Sequence, residues 1–225
     1  MIYDSVNPAV FRNIPKQIKR VLDIGCGSGA LGRAIKSTTD CEVVGITYSE
    51  EEATIARNYI DKVIVLDLND IDFSSLDLRD IDFVICSHVL EHLCQPQDLL
   101  EKIKLAFGKD FSIIVALPNI LNWRQRLKLL KGEFRYTEGG LMDQTHLRFF
   151  DWETTLDLLE NSGYEVVQRI ADGYFPLPIL RHMIPPLSGQ IDRFFTSVMP
   201  GLFGVQFILV AHPLVEKPHE QQASY

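Results

Sequence analysis

Residues 21–32, with the sequence VLDIGCGSGALG, constrain the fold of this chain more than any other feature. A short apolar run passes through an acid and a glycine-rich turn into a segment with helical character. Gly25, Gly27 and Gly29 let the backbone turn sharply and approach a ligand where a Cβ atom would collide. The helix expected from Ala30 directs N–H groups and its positive dipole end toward that ligand. The sequence therefore predicts a strand, a turn and a helix that hold a nucleotide-type cofactor.

Asp23 narrows the choice of cofactor. Gly27, Gly29 and Gly32 also satisfy the G-x-G-x-x-G pattern of dinucleotide binding, which alone is a weak signal. A pyrophosphate gives no reason for a carboxylate at the mouth of the strand. A sulfonium cofactor with an α-amino group does, because Asp23 can face its positive end while N–H groups meet its carboxylate. An NAD-dependent oxidoreductase remains an alternative, although it would need an acid about twenty residues after the glycines, where the chain has Thr47.

This motif resembles the first motif of the class I S-adenosylmethionine (SAM)-dependent methyltransferases, which has the same strand, acid and G-x-G-x-G. The resemblance continues in order through LDLND at 66–70 and DFVICSHVLEHL at 82–93, and covers roughly residues 20–170. The runs at 145–166 and 200–213 are similar to a bacterial branch that includes MetW-like and polysaccharide-cluster methyltransferases. The resemblance implies SAM as cofactor and a Rossmann-like α/β fold, with a mostly parallel seven-stranded sheet, helices on both faces and an antiparallel last strand.

Composition favours one cytoplasmic domain over residues 1–225. The chain is 46% hydrophobic, enough to bury one sizeable core, and no linker divides it. Its net charge of -8 would repel a phosphate backbone, so nucleic acid is not an expected partner. The four cysteines lack C-x-x-C spacing, which favours reduced, packed thiols. The longest apolar stretch, residues 198–211, is interrupted by proline, glycine and glutamine, so stable membrane insertion is not expected.

Short apolar runs alternate with amphipathic stretches, which predicts β-α units around a parallel sheet. The expected strands are 21–24, 42–46, 62–66, 82–86, 111–117, 164–170 and 204–211. The expected helices are about 29–37, 50–60, 96–107 and 152–162, the last opened by Asp151 as N-cap and closed by Gly163.

Two long segments are additional to these alternating strands and helices, and both lie where an acceptor pocket would be formed. Residues 119–150 follow the fifth strand, and residues 172–203 separate the last two strands. Loops of that length are usually functional or have helices of their own. We expect the apolar second segment to act as a lid, with Pro185 and Pro186 as its stiff corner and Arg181 near the acceptor. A homodimer or partner interface and a membrane surface are the alternatives.

The carboxyl ends of the first four strands should line one crevice, where a ligand lies. The resemblance implies that Asp23 and the glycine turn hold the methionine part of SAM, and that Asp67 contacts the adenine. An aspartate at a strand end is also a common cap, which is the alternative for Asp67. The expected cofactor-binding residues are Asp23, Gly25, Cys26, Gly27, Gly29, Thr47, Tyr48, Asp67, Leu68 and Ser87.

The second strand departs from the family pattern. Most members end it with an acid whose two oxygens bind both ribose hydroxyls, but this chain has Thr47, with Glu50 three residues later. A single hydroxyl is a weaker clamp. Either Glu50 reaches back, or the backbone and ring of Tyr48 cover the ribose, or cofactor affinity is reduced. The departure favours the alternative of a catalytically idle MetW-like partner that binds another enzyme.

Methyl transfer is an in-line displacement at a carbon that the sulfonium already activates, so the protein aligns the acceptor and accepts a proton. His88, at a strand end, and His146, on an expected substrate-side loop, are the predicted catalytic residues. His92 and Asp143 are weaker candidates, and a packed or capping side chain is the alternative for each histidine. The sequence thus predicts methyl transfer from SAM to oxygen or nitrogen of a small-molecule acceptor, such as a sugar or another secondary metabolite.

A metal site would use some of the same residues. His88, Glu91 and His92 fall at i, i+3 and i+4 of a helical turn and could face one divalent ion, with His146 as fourth ligand. A few methyltransferases with a related E-x-x-E-H pattern bind a metal, and this ligand mix would suit zinc better than magnesium. The E-H pair is common in members with no known metal, so we predict none.

Overall fold

Seven strands form one sheet in the order β3-β2-β1-β4-β5-β7-β6. The computed structural model describes residues 5–177 and 183–214. The parallel strands are β1 (Arg20–Ile24), β2 (Glu42–Thr47), β3 (Lys62–Val65), β4 (Phe83–Ser87) and β5 (Ser112–Pro118). β7 (Gly204–Pro213) runs antiparallel between β5 and β6 (Tyr164–Gly173). The predicted fold class is confirmed, including the antiparallel last strand.

Helices cover both faces of the sheet. They are α1 (Pro8–Arg12), α2 (Ala30–Lys36), α3 (Glu50–Ala56), α4 (Pro96–Phe107), α5 (Trp123–Leu130), α6 (Trp152–Asn161), α7 (Pro185–Val198) and α8 (Pro200–Phe203). Because side chains alternate along a strand, β1 contributes to two separate cores. Leu22 and Ile24 pack in the core that α4 and α6 cover, whereas Val21 packs in the core that α1 and α2 cover.

Helix ends follow local hydrogen bonding. Asp151 caps α6 and forms a capping box with Thr154, and Gly163 beyond the helix has φ +79°, as the sequence predicts. The prediction of a helix to residue 60 is wrong, because α3 ends at Ala56. The side-chain amide of Asn58 donates to the carbonyls of Thr54 and Ile55, and such bonds compete with helical ones.

The two long segments leave the same edge of the sheet. Because β6 runs in the direction of β5, the chain after β6 and the chain after β5 both start at the carboxyl ends of the parallel strands. Buried Asn119 joins the segments, since its amide donates to the carbonyls of Gly201 at 3.0 Å and Gly204 at 2.8 Å. Pro185 and Pro186 begin α7. The predicted position of Arg181 lies outside the described residues.

All four cysteines are free thiols. Cys26, Cys41 and Cys86 are buried, whereas Cys94 is exposed and so is not packed in the core. None of the helices in the described part of the chain has the length and apolar character needed to cross a membrane.

Candidate active site

The turn after β1 has a conformation that favours glycine. Gly25, Gly27 and Gly29 have φ of +75°, +53° and +82°. A Cβ atom on Gly25 would lie 2.2 Å from Cγ2 of Val89, so the turn passes directly under the segment after β4. The N–H groups of residues 25 and 26 both donate to the carbonyl of Ile46, which fixes the turn to the end of β2.

Asp23 is a buried carboxylate with an unsatisfied oxygen. Its residue is 2% exposed, and its Oδ2 atom has no hydrogen-bond partner among the described residues. Burial raises the pKa of Asp23 to about 7. A buried carboxylate costs free energy unless a cation or donor compensates it. The residues present therefore fit a cofactor that brings a positively charged group to the end of β1, as SAM does.

The acid that faces the end of β2 is Glu52, not Glu50, which was considered from the sequence. Glu50 forms an ion pair with Arg57 at 2.6 Å, and Tyr48 is 76% exposed. The hydroxyl of Thr47 instead donates to Oε2 of Glu52 at 2.8 Å. Glu52 lies in the first turn of α3 and was missed because sequence spacing alone does not show which face of α3 packs inward.

Three more of the predicted cofactor-binding residues lie at the ends of β3 and β4. Asp67 is exposed and its Oδ1 accepts from the backbone of Asn69 at 2.9 Å, which caps a short 3₁₀ helix over Leu68–Asp70. Leu68 is half-buried against the core. Ser87 Oγ accepts from the amide of Asn7 at 3.4 Å. The predicted roles of these residues toward SAM stay predictions.

His88 does not lie in a helical turn, so the predicted i, i+3, i+4 arrangement is wrong. Its N–H donates to the carbonyl of Ala116 as a continuation of the β4–β5 ladder, and its φ of +56° turns the chain only afterwards. The segment Leu90–His92 then forms a 3₁₀ helix. The positive φ of His88 lies outside the right-handed helical region, so the regular helical turn does not include this residue.

The His88 ring contacts polar groups on both sides. Its Nδ1 lies 3.2 Å from Glu91 Oε1 and its Nε2 lies 2.9 Å from Oε1 of Gln206. Burial alone would lower the pKa of His88, but the hydrogen bond to Glu91, the charge of Glu91 and the bond to Gln206 together raise it above the usual histidine value. The amide of Asn7 also donates to Gln206 at 2.7 Å. Asn7 and Gln206 were missed because 199 positions separate them along the chain.

His92 and His146 form a pair with centroids 4.7 Å apart, over the fully buried carboxylate of Glu91. Nδ1 of His146 lies 3.1 Å from the carbonyl of Leu141, and Nδ1 of His92 lies 3.3 Å from the carbonyl of Thr145. Because a carbonyl can only accept, Nδ1 of His146 carries the hydrogen and its Nε2 is left as an acceptor, which is the tautomer that a proton acceptor or a metal ligand requires. Nδ1 of His92 also lies 3.0 Å from the hydroxyl of Thr145.

The loop that carries His146 is attached to the 3₁₀ helix. The N–H groups of Leu147 and Arg148 donate to the carbonyl of Glu91 at 2.8 and 3.0 Å. Burial lowers the pKa of His146, and this effect outweighs the charge of Glu91, which raises it. Asp143 accepts from the backbone and hydroxyl of Thr145 and so shapes the loop. His146 is thus held in a neutral form close to the end of β4.

Three of the four residues considered for a metal lie together. The ligand atoms of Glu91, His92 and His146 are all within 4.8 Å of one another. His88 is bound to Gln206 and lies outside this group of three.

The buried carboxylate of Asp23 and the glycine turn fit a SAM-dependent methyltransferase, and comparison with known proteins shows that class. Residues 4–169 match the family model described as "Methyltransferase domain". A ubiquinone biosynthesis O-methyltransferase of Coxiella burnetii is 31% identical over 181 residues, and the match covers 76% of this chain and 76% of the relative. This chain belongs to the methyltransferase-domain family, and SAM is its cofactor.

Solved structures show the same fold. A SAM-dependent methyltransferase of Archaeoglobus fulgidus superposes with a TM-score of 0.64 at 22% identity and covers 91% of both chains. One from Mesorhizobium loti gives a TM-score of 0.61 at 18% identity, over 91% of this chain and 96% of the other. Membership of the MetW-like branch stays a prediction.

Proposed function

We propose that this enzyme transfers the methyl group of SAM to an oxygen atom of a small hydroxylated molecule, with His146 as the proton acceptor. The observation that carries this proposal is the fixed tautomer of His146, which presents Nε2 as an acceptor near the end of β4. A proton acceptor is useful for a hydroxyl, which must lose its proton as the new bond forms. The Coxiella relative is named an O-methyltransferase, which also supports oxygen as the accepting atom.

Each group of residues has a distinct task in this proposal. When bound, SAM supplies a methyl group that its sulfonium makes electrophilic. Asp23 and the glycine turn bind the methionine part. His146 Nε2 accepts the proton of the hydroxyl, and the nearby carboxylate of Glu91 stabilises the imidazolium that results. Both ring nitrogens of His88, the other predicted catalytic residue, lie against acceptor oxygens, those of Glu91 and Gln206, so His88 has no free nitrogen to accept a proton while these contacts persist.

The acceptor pocket would be formed by the two long segments of one domain that spans residues 1–225. The guanidinium of Arg124, on α5, lies 4.9 Å above the ring of Tyr174, so residues 119–150 and 172–203 touch at this edge. Phe175 stacks on Phe195 at 3.9 Å within the second segment. This packing supports a lid over the crevice, with a homodimer contact through residues 172–203 as the alternative.

A metal-dependent reaction is the second candidate, because Glu91, His92 and His146 lie close enough together to bind an ion. Chelation with EDTA distinguishes it from a reaction that uses His146 as the proton acceptor. We expect transfer to a phenolic acceptor to proceed at the same rate with and without EDTA, and to exceed transfer to the matched aniline. Initial rates of product formation by mass spectrometry provide the test. Activity that is lost in EDTA and restored by zinc would replace the proposed base with an ion, and faster reaction of the aniline would move the accepting atom to nitrogen.

A further inference from the structure

We propose that Glu52 holds the ribose hydroxyls of SAM, which makes it the cofactor-positioning acid of this chain. Two neighbouring hydroxyls are best met by a carboxylate, whose two oxygens can accept from both. Acids at the end of a second strand bind ribose in this way in related nucleotide-binding sheets. Here that position is occupied by Thr47, and Glu52 supplies the carboxylate from the first turn of α3.

The carboxylate of Glu52 is held at the end of β2. Glu52 is 7% exposed, and its Oε2 accepts from the hydroxyl of Thr47, itself buried, at 2.8 Å. The side chain therefore points back to the strand end. The two residues together place an acid where a strand-end acid alone would lie, with Thr47 as the group that orients it.

Glu52 also lies beside the glycine turn. A Cβ atom on Gly29 would be 3.1 Å from Cα of Ala56, so α3 packs closely against the turn. Burial, the charge of Asp23 and the charge of Glu52 all raise the pKa of the Cys26 thiol, which lies between Gly25 and Gly27. The carboxylates of Asp23 on β1 and Glu52 on α3 therefore both lie near the glycine turn, at the ends of the neighbouring strands β1 and β2.

A purely structural role for Glu52 would be a capping box. Ser49 and Glu52 have the S-x-x-E spacing in which the glutamate accepts from the N–H of the capping serine. In the structure that N–H donates instead to the hydroxyl of Thr47 at 3.3 Å, and Ser49 Oγ accepts from the N–H of Glu52 at 3.3 Å. The helix start is capped by Ser49 and Thr47, while the Glu52 carboxylate is turned to Thr47 at the crevice.

The other two acids of the same turn do not face the strand end. Glu50 pairs with Arg57, and Glu51 is exposed. Glu51 therefore provides a matched control, since Glu51→Gln makes the same chemical change one residue away.

Calorimetric binding of S-adenosylhomocysteine and of its 2′-deoxy analogue tests the proposal, and needs no methyl acceptor, so its result is independent of the acceptor chemistry. Glu52→Gln is expected to weaken binding of S-adenosylhomocysteine by about tenfold to a hundredfold, the scale for a lost hydrogen bond to a charged group. Glu51→Gln is expected to bind as the unaltered protein does. Loss of the 2′-hydroxyl should weaken binding to the unaltered protein but have little further effect in Glu52→Gln.

Thr47→Val provides a second variant, because it removes only the orienting hydroxyl. We expect a smaller loss, about threefold to tenfold, that is again specific to the ligand with both hydroxyls. Unchanged affinity in a folded Glu52→Gln protein would overturn the proposal. Equal losses for the ribose and deoxyribose ligands in both variants would also overturn it, because they would show a role in packing rather than in ribose binding.

Discussion

Asp23→Asn is expected to weaken SAM binding and, at the same time, to stabilise the unliganded protein. The substitution removes the charge that we propose faces the positive end of SAM, which should cost roughly 1.5–3 kcal/mol of binding free energy. The stability effect has the opposite sign because burial raises the pKa of Asp23 from 3.8 to about 7. A carboxyl group whose pKa is higher in the folded than in the unfolded protein lowers the free energy of unfolding as the pH rises through the range between the two pKa values. At pH 8 the asparagine variant should therefore have a free energy of unfolding that is higher by roughly 2–4 kcal/mol.

Calorimetry with SAM and urea unfolding at pH 8 measure both effects. Asp40→Asn is the matched control, since Asp40 is exposed and precedes the amino end of β2, away from the carboxyl ends where SAM is expected to bind. Neither binding nor stability should change in that control. A protein in which Asp23→Asn binds SAM normally would remove Asp23 from the cofactor site, whereas lost stability would show that the carboxylate has a structural partner.

His146→Ala is expected to lower kcat by about 10²-fold, because a positioned general base contributes a rate factor of that size. SAM affinity should stay within about twofold, because His146 is not proposed to bind the cofactor. His212→Ala is the matched control, since His212 is an exposed histidine near the far end of β7. The acidic limb of kcat/KM in the unaltered enzyme should have its midpoint below the usual histidine pKa of 6.5, because burial lowers the pKa of His146.

Other outcomes of this experiment have clear meanings. A midpoint above 6.5 would assign the limiting proton transfer to His88, whose pKa is raised through Glu91 and Gln206. His146→Ala with full turnover would contradict the proposed base. A fall in both turnover and SAM affinity would indicate that the loop over Glu91, rather than the imidazole, had been lost.

The positions of the strands along the chain and the glycine turn follow from local signals in the sequence. Gly25 and Gly29 are needed where the backbone adopts positive φ, and Asp151 and Gly163 mark a helix through bonds within a few residues. Such interactions are encoded by neighbours along the chain. The class of cofactor could be predicted for the same reason, because Asp23 lies two residues before the turn.

Other parts of the site depend on contacts between distant residues. His88 has a left-handed conformation, and its N–H continues the β-ladder to Ala116 on another strand. The inward direction of Glu52 depends on the packing of α3 against the glycine turn. Gln206, on the last strand, meets His88 across 118 positions. No local pattern contains this information, so these contacts became visible only in the folded chain.

The most direct test of a SAM site at the end of β1 is native mass spectrometry of the protein after equilibration with equimolar SAM, S-adenosylhomocysteine and NAD. We predict complexes with SAM and with S-adenosylhomocysteine, because each has an α-amino group to meet Asp23, and no complex with NAD. A complex with NAD, or the absence of both adenosyl ligands from the folded protein, would contradict the account.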